Sequence, residues 1–161
     1  MADCLNEATN YAEELEDRCL IKYYAGLLFL TRGENNQARL IIDELQENYT
    51  SLSTELKNVF HLLKAKYSIA VNSSSQTIKQ DFENAIEYAR KLFELDRFPL
   101  AQTLYDYGAW LKDNNLPYEE FLQEASEIFQ LLRADKIQKL SLADEEPQLR
   151  PLQNKIEYPT N

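Results

Sequence analysis

From Asp3 to Leu140, apolar residues recur every three or four positions in seven successive runs, separated by short polar, glycine or proline breaks. That period gathers side chains on one stripe of an α-helix, whereas a strand would need strict alternation. A chain patterned this way must bury helix against helix. Its composition agrees, with only three glycines and five prolines in 161 residues. The expected fold class is therefore all-α.

The first run, Asp3 to Leu15, places Leu5, Ala8, Tyr11, Ala12 and Leu15 on one side. Asp17 is a candidate N-cap for a second helix reaching Thr31, apolar nearly all round and so expected to be buried on most of its surface. Gly33 should end it by adopting positive φ. A third helix over Asn36–Asn48 carries Ala38, Ile41, Ile42 and Leu45, and Ser53-Thr54-Glu55-Leu56 opens a fourth. The polar stretch Asn72–Thr77 reads as a loop before a fifth helix over Ile78–Leu95. Pro99 suits the first turn of a sixth, and Pro117 opens a seventh that carries Phe121, Ala125, Ile128 and Phe129. Residues 141–161 hold three prolines and no helical stripe, so an extended or disordered tail is expected there.

Charge and residue types narrow the function. A formal net charge of −10 repels phosphate backbones and argues against direct nucleic-acid binding. The most apolar segment, Leu20–Leu30, is too short to span a bilayer, so no membrane role is expected. Met1–Asp17 is acidic and unlike a signal peptide, which points to the cytoplasm and to reduced, structural roles for Cys4 and Cys19. His61 has Lys57, Asn58, Lys64 and Ala65 at helical spacing and reads as a surface residue. Three glycines at 26, 33 and 108 cannot build a phosphate loop, and no ligand spacing surrounds the cysteines or His61. The expectation is a non-catalytic protein with no metal and no cofactor.

Gly26 sits mid-helix, where glycine costs about 0.5–1 kcal/mol relative to alanine. KYYAGLLFLTRGE sets Gly33 seven residues after Gly26, and LYDYGAWLKDNNL sets Asn115 seven after Gly108. A small residue in mid-helix lets a second helix lie close, and the turn residue then sends the chain back. This resembles the tetratricopeptide repeat, a helical hairpin of about 34 residues that stacks into a superhelix. Gly26, Phe29, Gly33, Ala38 and Ile42 match in a first hairpin, and Tyr105, Gly108 and Leu111 in a third. The second matches poorly, with Lys64 where a small residue is expected and a long loop before its returning helix. The lead-in EELEDRCLIKYYAGLLFLTRG is similar to divergent repeats of bacterial transcription regulators and signalling proteins.

The resemblance implies an α-solenoid of three antiparallel hairpins (17–49, 53–96 and 99–134) capped by helix 3–15, in one domain over residues 1–140. It also implies a protein–protein interaction module that binds a peptide or helix of a partner in its groove. The groove positions carried over are Leu20, Tyr23, Leu27 and Leu30 in the first hairpin, and Gln102, Tyr105, Ala109 and Lys112 in the third. Trp110 lies off its helix's stripe and reads as an exposed anchor or a contact to the tail. The acidic surface favours a partner with basic flanks, and a homodimer is admitted. The alternative is a ligand- or peptide-sensing regulatory domain, which would show an enclosed pocket rather than an open groove.

Overall fold

The computed structural model describes residues 15–143, with side chains over 16–136. Among the described residues the fold is all-helical: α1 (Leu15–Thr31), α2 (Asn35–Glu47), a 3-10 turn (Tyr49–Ser51), α3 (Thr54–Ala70), α4 (Ser75–Leu92), α5 (Phe98–Asp113) and α6 (Glu119–Ala143). The expected helix 3–15 and the tail from 144 onward lie outside the described residues. Leu15, Glu16 and Asp17 form the first turn of α1, so Asp17 lies within the helix and is not its N-cap. At the other end α6 continues to Ala143, past the expected domain limit at 140.

The closest packing is between helices consecutive in the chain, α1 with α2, α3 with α4 and α5 with α6, and α1 also packs on α3. Three apolar clusters result. The first joins α1, α2 and α3 through Tyr23, Ile42, Leu45, Phe60 and Leu63. The second joins α3, α4 and α5 through Leu62, Ala65, Phe82, Ala85, Tyr107 and Trp110. The third joins α4, α5 and α6 through Ala89, Leu100, Leu104, Ala125 and Ile128. Helix α3 therefore contributes to two clusters from different sides, and burying each of its large apolar side chains is worth roughly 1.5–3 kcal/mol.

Helices α1, α3 and α5 end in the same way. Gly33, Asn72 and Asn115 have φ of 73°, 53° and 55°, the left-handed conformation. In each case this residue's N–H donates to the carbonyl three back: Leu30, Ile69 and Lys112, at 3.0, 3.0 and 3.1 Å. The next N–H donates to the carbonyl five back: Phe29, Ser68 and Leu111, at 2.9, 2.8 and 2.9 Å. This double closure satisfies the orphan carbonyls of a helix end and turns the chain sharply. The loop after α3 is shorter than expected, because Ser74 caps α4: its Oγ accepts from the Thr77 N–H at 3.2 Å. Ser75, Gln76 and Thr77 are thus the first turn of a helix, not a linker.

Both helical glycines lie at close approaches. A Cβ on Gly26 would come within 2.8 Å of Leu63 Cδ2 in α3, and one on Gly108 within 2.7 Å of Leu122 Cδ2 in α6. The glycines serve different contacts, since Gly108 faces the helix that follows it and Gly26 meets α3 most closely.

Candidate interaction surface

Gln102, Tyr105, Ala109 and Lys112 recur at helical spacing along α5. Tyr105 is 52% exposed, Lys112 is exposed, and Gln102 and Ala109 are half-buried. Tyr105 forms one wall of an open cleft of about 410 Å³ completed by Leu122, Ser126, Phe129, Gln130 and Arg133 of α6. The cleft exists because Gly108 lets α6 approach α5 closely, which brings Leu122 over the α5 backbone. Its exposed lining is mostly apolar, though Ser126, Gln130 and the Arg133 guanidinium also line it.

Beside this stripe, Asp106 is held on two sides. Its Oδ1 accepts from Gln102 Nε2 at 3.0 Å, and its Oδ2 lies 2.7 Å from Lys66 Nζ of α3. The pair ties α5 to α3. Asp106 also acts on Tyr23 of α1, whose hydroxyl pKa is pushed up to about 12, first by burial and then by Tyr24 and Asp106. Groups of α1, α3 and α5 thus share one electrostatic neighbourhood.

The other sequence-derived positions lie elsewhere. Tyr23 is buried in the first cluster, and Leu20, Leu27 and Leu30 pack half-buried against it. The apolar stripe of α1 is turned into the core formed with α2 and α3 and does not stand open. The outward aromatic of α1 is its neighbour Tyr24, 58% exposed, with ring centroids 5.1 Å from Tyr23. Trp110 is not an exposed anchor: it is buried at 8% exposure against Tyr107 and Phe82, with centroids 6.2 and 6.3 Å away. It is off the α5 stripe that meets α6, but that side of α5 is covered by α3 and α4.

His61 is likewise buried, at 8% exposure, as are Asn58 and Ala65. Periodicity shows one core stripe on α3, whereas the helix is enclosed on two sides. Asn58 Nδ2 donates to the Ala85 carbonyl at 2.9 Å and to Thr103 Oγ1 at 3.2 Å, and Thr103 Oγ1 donates to the Pro99 carbonyl at 2.7 Å. This buried polar chain fixes α3, α4 and α5 relative to one another.

Other exposed apolar side chains lie just past α4, at the start of α5 and midway along α6. Leu95, Phe98 and Leu131 are 88%, 52% and 49% exposed. A second open cleft of about 390 Å³ lies there between α4 and α6, lined by Arg90, Phe93, Leu100, Glu124, Ile128 and Leu131 among others. It is crossed by a two-pronged ion pair from Arg90 to Glu124 at 2.8 and 2.9 Å.

Among the described residues, no group of three or more His, Cys, Asp or Glu side chains is placed to hold a metal ion. No helix among them is long and apolar enough to cross a membrane. Cys19 is a buried free thiol with its pKa raised by burial, a state that disfavours the nucleophilic thiolate. Comparison with protein-family models, curated proteins and solved structures finds no match to this chain.

Proposed function

We propose that this chain is a non-catalytic protein-interaction module, a short tetratricopeptide-like superhelix that binds a peptide or helix of a protein partner along α5. The observation that carries the reading is Tyr105. This large amphipathic ring stands half-exposed on a regular helical stripe beside an open, mostly apolar cleft. Aromatic rings with one face free are the usual anchors of protein recognition.

The repeat arrangement is supported by the identical closures at Gly33, Asn72 and Asn115, each after the first helix of a packed pair. A closure of this kind turns the chain back sharply, as a stacked hairpin needs between its two helices. The short Ser74-capped loop removes one of the two departures that set the second hairpin apart in sequence. The partner's contact segment carries an apolar or aromatic residue for the cleft, with basic flanks suited to the chain's net charge of −10. A sensor would enclose its ligand, and both clefts described above are open to solvent.

Selection of displayed linear peptides on the full chain tests this reading. It predicts a family of related sequences whose affinity drops at least tenfold on Tyr105→Ala, about 1.4 kcal/mol. Failure to enrich any family, or binding indifferent to substitutions at Tyr105 and Lys112, would overturn it.

A further inference from the structure

His61 closes a junction that the module's binding role does not use. Its Nε2 lies 2.9 Å from the hydroxyl of Tyr49, in the 3-10 turn between α2 and α3. Tyr49 donates in turn to the Tyr88 hydroxyl of α4 at 3.0 Å. With the Tyr49 proton committed to Tyr88, Nε2 is the donor to Tyr49, and Nδ1 is left as the bare acceptor. The His61 ring stacks on Tyr88 at 5.7 Å and 7°, and meets Phe60 and Tyr49 edge-on. Nδ1 is buried with no hydrogen-bond partner.

The charged groups around this ring are mixed. From α3, Lys64 acts against protonation, while Asp81 and Glu87 of α4 favour it less strongly. Lys64 lies 3.5 Å from Asp81, and Lys91 lies 2.7 Å from Glu87. Lys57 stands over the Tyr49 ring at 5.5 Å and Lys91 over the Tyr88 ring at 4.6 Å. Both carboxylates are therefore engaged by lysines, and none accepts from Nδ1. A proton placed there would be a buried donor without an acceptor, on a ring that has lost its place in water.

We propose that His61 is an acid-sensitive latch: at neutral pH it holds the turn at Tyr49 and the helix at Tyr88 to α3, and its protonation releases that junction. The consequence is local. The 3-10 turn joins α2 to α3, so release loosens that turn and its tie to Tyr88 of α4, while the α1–α3 packing and the α5–α6 pair stay intact. Burial, helped by Lys64, lowers the His61 pKa to about 4 from an ordinary value of 6.5. The open form takes up the proton more readily, so opening grows as pH falls from about 6.5 towards 4.

Amide hydrogen exchange on the full chain, corrected for intrinsic rates, reads the latch at pH 7.5 and pH 5. The two pKa values correspond to a rise of roughly 30-fold in the opening constant at pH 5. The rise should be confined to segments 48–61 and 84–92, with α5 and α6 changing far less. In His61→Phe, which keeps the ring packing and has no proton to gain, that local rise should vanish. Tyr88→Phe keeps the stack, removes one hydroxyl, and should retain the pH dependence on a higher baseline, which covers the case in which the phenylalanine variant folds poorly. Equal loss of protection across all helices in the wild type, or a local rise that persists in His61→Phe, would overturn the proposal.

Discussion

Gly108→Ala isolates the close approach on which the α5–α6 pair depends. Glycine in mid-helix is intrinsically unfavourable, so alanine should gain about 1 kcal/mol from helix propensity alone. The added methyl would sit 2.7 and 2.8 Å from Leu122 Cδ2 and Cγ, and 3.3 Å from the Leu122 backbone nitrogen. A side-chain end could rotate away, but the backbone contact requires α6 itself to move. Such overpacking costs about 1–3 kcal/mol. The balance should be a net loss of roughly 1 kcal/mol, with Tyr107, Phe121 and the Tyr105 cleft displaced. Gly26→Ala is the internal control. Its methyl would meet only the ends of Leu63 at 2.8 and 3.1 Å and of Ile41 at 3.4 Å, so the net change should fall close to zero. Urea unfolding followed by circular dichroism measures both, with the slope against urea expected to be unchanged. A Gly108→Ala protein more stable than the wild type, or one affected less than Gly26→Ala, would mean that the close approach of α6 does not govern this pair.

Three further outcomes are expected. Asn58→Ala leaves Thr103 and the Ala85 carbonyl without their buried donor and should cost roughly 1–3 kcal/mol in urea unfolding. Asn72→Ala and Asn115→Ala each put alanine, which lacks the short polar side chain that eases asparagine into the left-handed region, at a positive-φ position, at a cost of about 1 kcal/mol, and the two losses should be similar because the closures are the same. Trp110 is buried, so its fluorescence should be blue-shifted in the folded chain and move to longer wavelength in the same unfolding transition as the circular dichroism.

Period and punctuation made most of the helices legible. The stripe Ala38, Ile42, Leu45 is buried as its spacing implies, and Gly33 and Pro99 sit at the turn and helix start that their backbone chemistry suits. Asn72 was missed because a serine run followed it, and Ser73–Ser75 reads as a loop until Ser74 is seen to cap α4. Periodicity reports one buried stripe per helix, and α3 has more than one. His61, Asn58 and Ala65 therefore looked solvent-facing, and Trp110 on α5 looked free for the same reason. Of the surface, Tyr105 and Lys112, carried over from the repeat resemblance, are exposed on α5. The α1 residues Leu20, Tyr23, Leu27 and Leu30 are not, because a helix apolar on most sides gives no hint of which side its neighbours cover.

If a partner segment is read along α5, amide chemical-shift mapping on the full chain, titrated with the tightest peptide from display selection, will show it. Shifts should concentrate at residues 102–112 and 122–133 and saturate with a single affinity. Shifts concentrated instead around Arg39 and Asp43 on the exposed side of α2, with residues 102–112 unmoved, would contradict that reading.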